Sequence, residues 1–448
     1  MKQSFFIKTY GCQMNVYDSE KIVELMTNNG YKQSLNLEES DIAIFNTCHI
    51  REKAAEKLFS DLGRISKYKE NKKKSGSSMK IVVTGCVAQA EGDEIKKRNK
   101  SVDLIFGPQN YQNIVDALKV ENKKYVYADF LCEEKFESLP IKNSHEVSRL
   151  VTIQEGCDKF CSFCVVPYTR GAEFSRPVEG IFFEVKKLAE MGAKEVILLG
   201  QNVSSYNSNI FEDGAEVSVK LSKLCNLISS ISGLERIRYL TSHPNDIKND
   251  LINEHCNNKK LMPFLHLPIQ SGSDSILKKM NRNHLRNDYL KLVKKIKSKI
   301  NNMAFSSDFI VGYPGETEDD FNQTIDLIEQ VGFASSYSFK YSPRAGTHSS
   351  LKHLDIINED VADLRLKKIQ RLLNKQQEEF NLTFIDKNEE VLFTDIGKKN
   401  NQFVGRTKYL QPVHVFSNVD IIGRKLIVNL ENLTSFSFHG KILSLIHI

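Results

Sequence analysis

No run in this 448-residue sequence approaches the roughly 18 consecutive apolar residues of a membrane-spanning helix. Membrane insertion is therefore not expected. The apolar start Phe5-Phe6-Ile7 is far too short for the core of an export signal. A cytoplasmic location follows as an expectation, and it puts the nine cysteines in a reducing compartment. Clustered thiols there bind metal or do chemistry more often than they form disulfides. A large excess of one charge is also missing. The formal net charge of +6 permits contact with nucleic acid without arguing for it, and the basic runs at 72–74 and 96–98 read as solvated faces. There is no solenoid period and no extended low-complexity tract, which excludes a repeat protein. With 40% hydrophobic and 26% charged residues, an ordinary globular chain remains, long enough for two or three domains. Three are expected.

Up to about residue 120, short apolar runs alternate with helical stretches, which reads as βα units around a parallel sheet. Strands are expected at 5–9, 42–46, 81–84 and 102–106, with a flexible insertion at 72–78. Residues 121–145 lack periodicity and read as a linker. From 146 to 379 a second βα series gives strands at 150–154, 195–199, 236–240, 264–267, 304–311 and 336–341, enough for a partial (βα)6 barrel. A helix over 361–379 closes it. Residues 380–448 then turn to short β runs at 390–393, 413–416, 425–430 and 433–438, the pattern of a small all-β barrel. The fold class is α/β, with domains at 1–120, 146–379 and 380–448.

Nine cysteines are unevenly spread. Cys157, Cys161 and Cys164 form a CxxxCxxC run directly after an expected strand, and three thiolates this close need a shared ligand. Structural zinc usually takes four protein ligands at a different spacing. A 4Fe-4S cluster on three cysteines keeps one iron open to a small molecule. Cys12, Cys48 and Cys86 are 36 and 38 residues apart, each just past an expected strand, so they should meet on the carboxyl edge of one sheet. Taken singly each is a small buried hydrophobe; together they make a second three-thiolate site, again with one open iron. Cys132, Cys225 and Cys256 have no partners at ligand spacing and read as bystanders.

The CxxxCxxC run resembles the radical S-adenosylmethionine superfamily. The resemblance implies that the open iron chelates that cofactor and that Phe163, otherwise a plain core aromatic, lies against its adenine. The segments Lys8-Thr9-Tyr10-Gly11-Cys12-Gln13-Met14-Asn15, Asn46-Thr47-Cys48-His49-Ile50-Arg51-Glu52-Lys53-Ala54, Gly85-Cys86-Val87-Ala88-Gln89, Phe106-Gly107-Pro108-Gln109 and Val165-Val166-Pro167-Tyr168-Thr169-Arg170-Gly171 are similar to the tRNA methylthiotransferase family. Matches at Gly200-Gln201-Asn202-Val203, Thr241-Ser242-His243-Pro244, 266–273 and 308–317 extend the likeness over nearly the whole chain.

Several expectations follow from that resemblance. The chain would carry two 4Fe-4S clusters and use S-adenosylmethionine both as methyl donor and as source of a 5'-deoxyadenosyl radical. It would methylthiolate carbon 2 of N(6)-isopentenyladenosine next to a tRNA anticodon. Gly200, Gln201, Asn202, Gln270, Ile310 and Gly312 are the implied cofactor contacts, each equally readable as an ordinary sheet-edge residue. An electron donor such as flavodoxin or ferredoxin and a monomeric state are expected. The segments at 46–54 and 106–109 separate this branch from siblings that act on threonylcarbamoyl adenosine or on a ribosomal-protein aspartate. An iron-sulfur RNA-binding protein without activity is the non-enzyme alternative; it needs neither an open iron nor the cofactor motifs.

Gly405-Arg406-Thr407-Lys408-Tyr409 resembles the TRAM domain, a five-stranded RNA-binding barrel. Residues 381–448 hold eight Lys or Arg and six Asp or Glu, too even a balance to argue RNA binding by charge, so a structural barrel stays open. Two departures from the family pattern concern loops. Asn283 stands where glycine is usual, and Asn best tolerates a positive φ among side-chain-bearing residues; Ala345 replaces a usual proline.

Overall fold

The computed structural model describes residues 3–49, 52–120, 125–130, 135, 136, 140, 145–212, 214–351 and 356–443. Cys132, Ile50 and Arg51, and most of 121–145, lie outside them.

Six parallel strands open the chain: β1 (Ser4–Tyr10), β2 (Lys32–Gln33), β3 (Ile42–Thr47), β4 (Lys80–Thr84), β5 (Leu104–Phe106) and β6 (Tyr125–Tyr127), in the order β2-β1-β3-β4-β5-β6. A parallel sheet needs crossover helices and is buried on both faces, so its strands read as continuous apolar runs. β3 is buried at every position. Its alternate side chains feed two separate cores: Ile42 and Ile44 pack with Phe5, Ile22 and Ile114, while Ala43 and Phe45 pack with Leu58, Leu62 and Val87. Those cores are closed by α1 (Gln13–Asn28), α2 (Glu52–Lys74) and α3 (Cys86–Arg98).

The central unit is built on β7 (Ser148–Thr152), β10 (Glu195–Leu199) and β13 (Arg236–Tyr239), which pair in parallel, and on β14 (Phe264–His266), β15 (Ala304–Val311) and β16 (Ser335–Lys340), which do the same. Between the two triplets, Ile237 of β13 forms a parallel bridge with Leu261, three residues before β14. Six strands in sequential order with helices outside make a partial barrel. Two antiparallel pairs decorate it: β8 (Gln154–Glu155) with β9 (Phe174–Ser175), and the hairpin β11 (Asn207–Glu212) and β12 (Ala215–Lys220). Outward side chains such as Val196, Leu198, Phe305, Phe309 and Val311 bury against the surrounding helices. Helix Glu318–Val331 starts at a capping box, Thr317 Oγ1 accepting from Asp320 N while Asp320 Oδ2 accepts from Thr317 N, and stops at Gly332 with φ +65°.

The long helix Glu359–Leu382 leads to a closed barrel of β17 (Asn388–Ile396), β18 (Gln402–Arg406), β19 (Pro412–Phe416), β20 (Lys425–Leu433) and β21 (Phe438–Ile442) in the order β17-β18-β19-β21-β20. Closure removes free strand edges. Two arginines of β13 fix the barrel in place. Arg236, fully buried, donates to the carbonyls of Arg406 at 2.7 Å and Glu390 at 3.0 Å, and Arg238 donates to those of Lys408 at 2.7 Å and Thr407 at 2.9 Å. The segment that resembles an RNA-binding motif thus spends its carbonyls on holding the two units together.

Four expectations need correction. β6 and its pairing with β5 lie within 121–145, so the stretch taken as a linker carries a sixth strand of the first sheet. Lys72 to Lys74 are not an insertion but the last turn of α2, where lysines face the negative end of the helix dipole. Residues 433–438 are not one strand; β20 ends at Leu433, the chain turns with Thr434 N bonded to Ser437 O, and β21 begins at Phe438. The expected strand at 150–154 is divided between β7 and β8.

Because the Arg236 side chain is enclosed and donates to two carbonyls of the terminal barrel, Arg236→Met should cost about 2 to 4 kcal/mol of stability. Urea denaturation followed by circular dichroism checks this, with an earlier transition expected; an unchanged midpoint contradicts the docking role.

Candidate active site

Register brings the first three thiols together. Tyr10 pairs with Thr47 and Asn46 with Thr84, so β1, β3 and β4 end side by side, and Cys12, Cys48 and Cys86 follow them by one or two residues on the carboxyl edge. The turns that make this possible require glycine. Gly11 has φ +135° and its missing Cβ would sit 2.2 Å from Cys48 Cβ; Gly85 has φ +93° and a Cβ there would meet Asn46 Oδ1 at 2.5 Å.

Cys12 and Cys86 stand at the N-termini of α1 and α3, where backbone N–H groups favour a thiolate. A hydrogen bond from Cys48 is the main reason the Cys12 thiol is brought down to about 6; burial opposes it, and the Arg170 charge and the N–H groups of Asn15 and Met14 assist. Burial pushes Cys86 up, against the charge and hydrogen bond of Arg170.

The second thiol set lies on the loop between β8 and the short helix Val166–Arg170. Cys164 N donates to Cys161 O at 2.9 Å, and Ser162 N to Met280 O at 3.0 Å, so the loop is tied both to itself and to the far side of the barrel. Burial, reinforced by the neighbouring thiols, raises Cys157 to about 11 and Cys164 to about 12. One guanidinium assists: Arg282 Nη1 is 3.4 Å from Cys161 Sγ. Three thiolates are costly here until a cation lies among them, and that demand fits an iron-sulfur cluster. Among the described residues no three His, Cys, Asp or Glu side chains are disposed to hold a single metal ion.

A cavity of about 1460 Å³ occupies the barrel mouth. Cys12, Cys48, Cys157, Cys161 and Cys164 line it, together with Phe163, Gly200, Gln201, Asn202, Gln270 and Ile310. Cys86 and Gly312 do not. Gly312 lies past the end of β15, where its N–H donates to Glu316 Oε2 at 2.8 Å. The backbone around Gly200 is set by Gln154, whose Oε1 accepts from Gln201 N at 2.9 Å and Asn202 N at 3.1 Å. Asn202 is committed to the protein, donating to Asp246 Oδ2 at 2.6 Å and accepting from His243 N at 2.9 Å. Lys159, Arg282, His266 of β14 and Asp308 of β15 also line the cavity; none is a site candidate from sequence, because single polar residues carry no spacing signal.

Buried ion pairs hold the first sheet against the barrel. Arg170 donates to Asp18 Oδ2 at 2.7 Å and Glu155 Oε1 at 3.0 Å; Lys135 binds Asp18 Oδ1 at 3.0 Å and also Glu155. All four are at most 2% exposed. Gln109 Nε2 donates to Arg170 O at 2.7 Å, which ties the Phe106 to Gln109 segment to the same knot. Beside it Lys21 contacts Glu184 Oε1 at 2.6 Å, and Arg176 contacts Glu184 from the other side.

The match to known proteins agrees with this geometry. Residues 151–328 match the radical SAM superfamily and residues 4–107 the uncharacterized protein family UPF0004. Among solved structures, the cobalamin-dependent S-adenosylmethionine radical enzyme OxsB is similar over 84% of this chain and 56% of its own, with TM-score 0.53 and 12% identity. The radical S-adenosylmethionine methyltransferase TsrM of Kitasatospora setae is similar over 78% of this chain and 75% of its own, with TM-score 0.55 and 10% identity. The chain spans little more than half of OxsB, and at such identities the likeness concerns the fold. Fold and cysteine loop together define a radical S-adenosylmethionine protein. Two curated proteins called tRNA-2-methylthio-N(6)-dimethylallyladenosine synthase, from Rickettsia canadensis (strain McKiel) and Rickettsia rickettsii (strain Sheila Smith), are each 46% identical over 99% of this chain and 100% of their own length. The chain belongs to the tRNA-2-methylthio-N(6)-dimethylallyladenosine synthase family.

Burial alone would raise the Glu184 carboxyl, but the charges of Lys21 and Arg176 and their hydrogen bonds pull it down to about 2. The unfolded carboxyl titrates near its ordinary value of about 4.3. Falling pH therefore protonates the unfolded chain first, and the stabilisation, whole above that value, is lost between there and about 2. Glu184→Gln should flatten the stability-against-pH curve in this window by up to about one proton. Urea denaturation at a series of acid pH values checks it, and an unaltered slope contradicts the assignment.

Proposed function

We propose that the shared cavity is where an RNA adenosine, S-adenosylmethionine and two 4Fe-4S clusters meet. The reaction is the conversion of N(6)-dimethylallyladenosine in tRNA, the isopentenyl nucleoside next to the anticodon, to its 2-methylthio derivative. Cys157, Cys161 and Cys164 hold one cluster and Cys12, Cys48 and Cys86 the other. When bound, these groups supply a hydrogen-abstracting radical and an activated methylthio sulfur.

The observation that carries the reading is that thiols of both sets open into one cavity. A sulfur carried on one cluster and a carbon radicalised near the other must be within bonding reach at some point, and a common chamber provides it. The protein's own work is to hold these partners in register. Phe163 offers a face for the cofactor's adenine, Gln154 shapes the Gly200 to Asn202 turn, and Arg282 donates to Cys161 Sγ. Gln270, with φ +80°, and Ile310 border the same space. For Gly312 we keep only a role in shaping the loop after β15.

By this reading, residues 1–120 with β6 carry the sulfur-bearing cluster, 146–379 the radical chemistry, and 380–448 an RNA-binding barrel. Arg406, Tyr409 and Phe436 of that barrel border the cavity, where a bound RNA would reach them. An unpaired purine enters without the cost of opening a duplex. No described helix is long and apolar enough to cross a membrane; a cytoplasmic monomer reduced by flavodoxin or ferredoxin completes the proposal.

Alanine at Cys12, Cys48 and Cys86 together should abolish methylthiolation yet leave reductive cleavage of S-adenosylmethionine to 5'-deoxyadenosine. Alanine at Cys157, Cys161 and Cys164 should abolish the cleavage. Chromatography of both products after anaerobic reconstitution with dithionite reads the outcome. A folded first triple variant that still makes 2-methylthio product contradicts the division.

A further inference from the structure

The inner face of the partial barrel carries two large aromatic side chains that none of the chemistry above uses. Tyr337 and Phe339 lie on β16, the open edge of the barrel, two residues apart and therefore on one face. Register sets Tyr337 opposite Asp308 and Phe339 opposite Ile310. Asp308 and Ile310 line the cavity, as do the two rings. The rings are nevertheless 58% and 43% exposed, although side chains of this size are normally covered when they face a barrel interior. The ladder is graded in polarity. Beside Tyr337 stand Asp308 and His266, the imidazole 3.5 Å from Asp308 Oδ2 and its centroid 6.4 Å from that of Tyr337; beside Phe339 stands the aliphatic Ile310.

We propose that Tyr337 and Phe339 form the platform on which the target base is held: an unpaired purine stacked on the Tyr337 ring, its exocyclic and ring nitrogens towards Asp308 and His266, and an apolar N6 substituent laid over Phe339 and Ile310. This rests on the function proposed above and deepens it by naming the residues that recognise the nucleoside. A purine presents a flat π-face and hydrogen-bonding edges, and its alkyl tail is purely apolar. A platform that passes from polar to apolar along one strand matches both ends of such a ligand at once. Stacking on an aromatic side chain is worth a substantial part of single-strand binding and holds no matter which base is present. Preference for the alkylated base falls to Phe339 and its neighbour Ile310. Both aromatic residues are exposed, so replacing them leaves the core untouched.

The test uses reconstituted holoenzyme and three RNA probes: an anticodon stem-loop with N(6)-isopentenyladenosine at the target position, the same stem-loop with plain adenosine, and one with an abasic site there. Tyr337→Ala should weaken binding of both base-containing probes roughly tenfold to a hundredfold and leave the abasic probe unchanged, with Tyr337→Phe restoring the loss. Phe339→Ala should narrow the difference between the isopentenylated and plain probes. Equal weakening of all three probes, or no weakening, overturns the platform. Product formation by the unsubstituted enzyme is scored alongside. If it makes the 2-methylthio product while the variants bind as it does, the platform is wrong and the function stands; if it makes none, the function itself fails and the platform with it.

Discussion

Arg170 carries its charge where no water reaches it, and the way that charge is neutralised fixes the architecture. Its guanidinium binds Asp18 of α1 and Glu155 of β8, and Lys135 bridges the same two carboxylates from the other side. Two cations and two anions, each enclosed, are tolerable only as a complete set, since removing any one leaves an uncompensated buried charge worth about 3 to 5 kcal/mol. Burial would raise the Asp18 carboxyl; the charges of Lys135 and Arg170 hold it below its ordinary value instead. The set draws on the first sheet's helix, on a residue between the domains and on two segments of the barrel. Completing it therefore selects one orientation of sheet on barrel.

That orientation accounts for the cavity. The carboxyl edge of the first sheet turns toward the mouth of the barrel, and both thiol sets come to border one space although they are separated by more than a hundred residues of sequence at their extremes. The two sets differ electrostatically. Cys12 sits at a helix N-terminus, accepts from Cys48 and feels Arg170, all of which favour a thiolate. Cys157 and Cys164 have burial and the neighbouring Cys161 to contend with, and Arg282 reaches that third thiol. Hydrogen bonding and charge around the ligating sulfurs are among the levers that set cluster potential. On the proposed assignment, these surroundings would give the two cluster sites different properties from the same ligand type.

Much of this was legible in the sequence because it rests on local pattern. The runs that became β3 and β4 are apolar enough to be buried on both sides, β1 is half-buried along most of its length, and thiols spaced by one βα unit had to meet on one edge. Asn283 does adopt a positive φ, +46°, as a replacement for glycine should. What stayed hidden depends on partners distant in the chain. Lys135 lies in a stretch without periodicity, and only the carboxylates of Asp18 and Glu155 give it a role. β6 is three residues long and owes its existence to the exposed edge of β5. β18 was missed and residues 433–438 were read as a strand, because short runs in a small barrel take their register from neighbours more than from propensity. The expected strand at 336–341 carries no signal that sets Tyr337 and Phe339 apart; their exposure depends on β16 lying at the edge of its sheet.

The central claim is that two separate iron-sulfur sites face one chamber. Iron and acid-labile sulfide analysis of the anaerobically reconstituted protein, with Mössbauer spectroscopy to identify cluster type, tests it most directly. The account predicts about eight irons per chain in two four-iron clusters. Four irons at full reconstitution, or a first set of thiols that holds only a single metal ion, would contradict it.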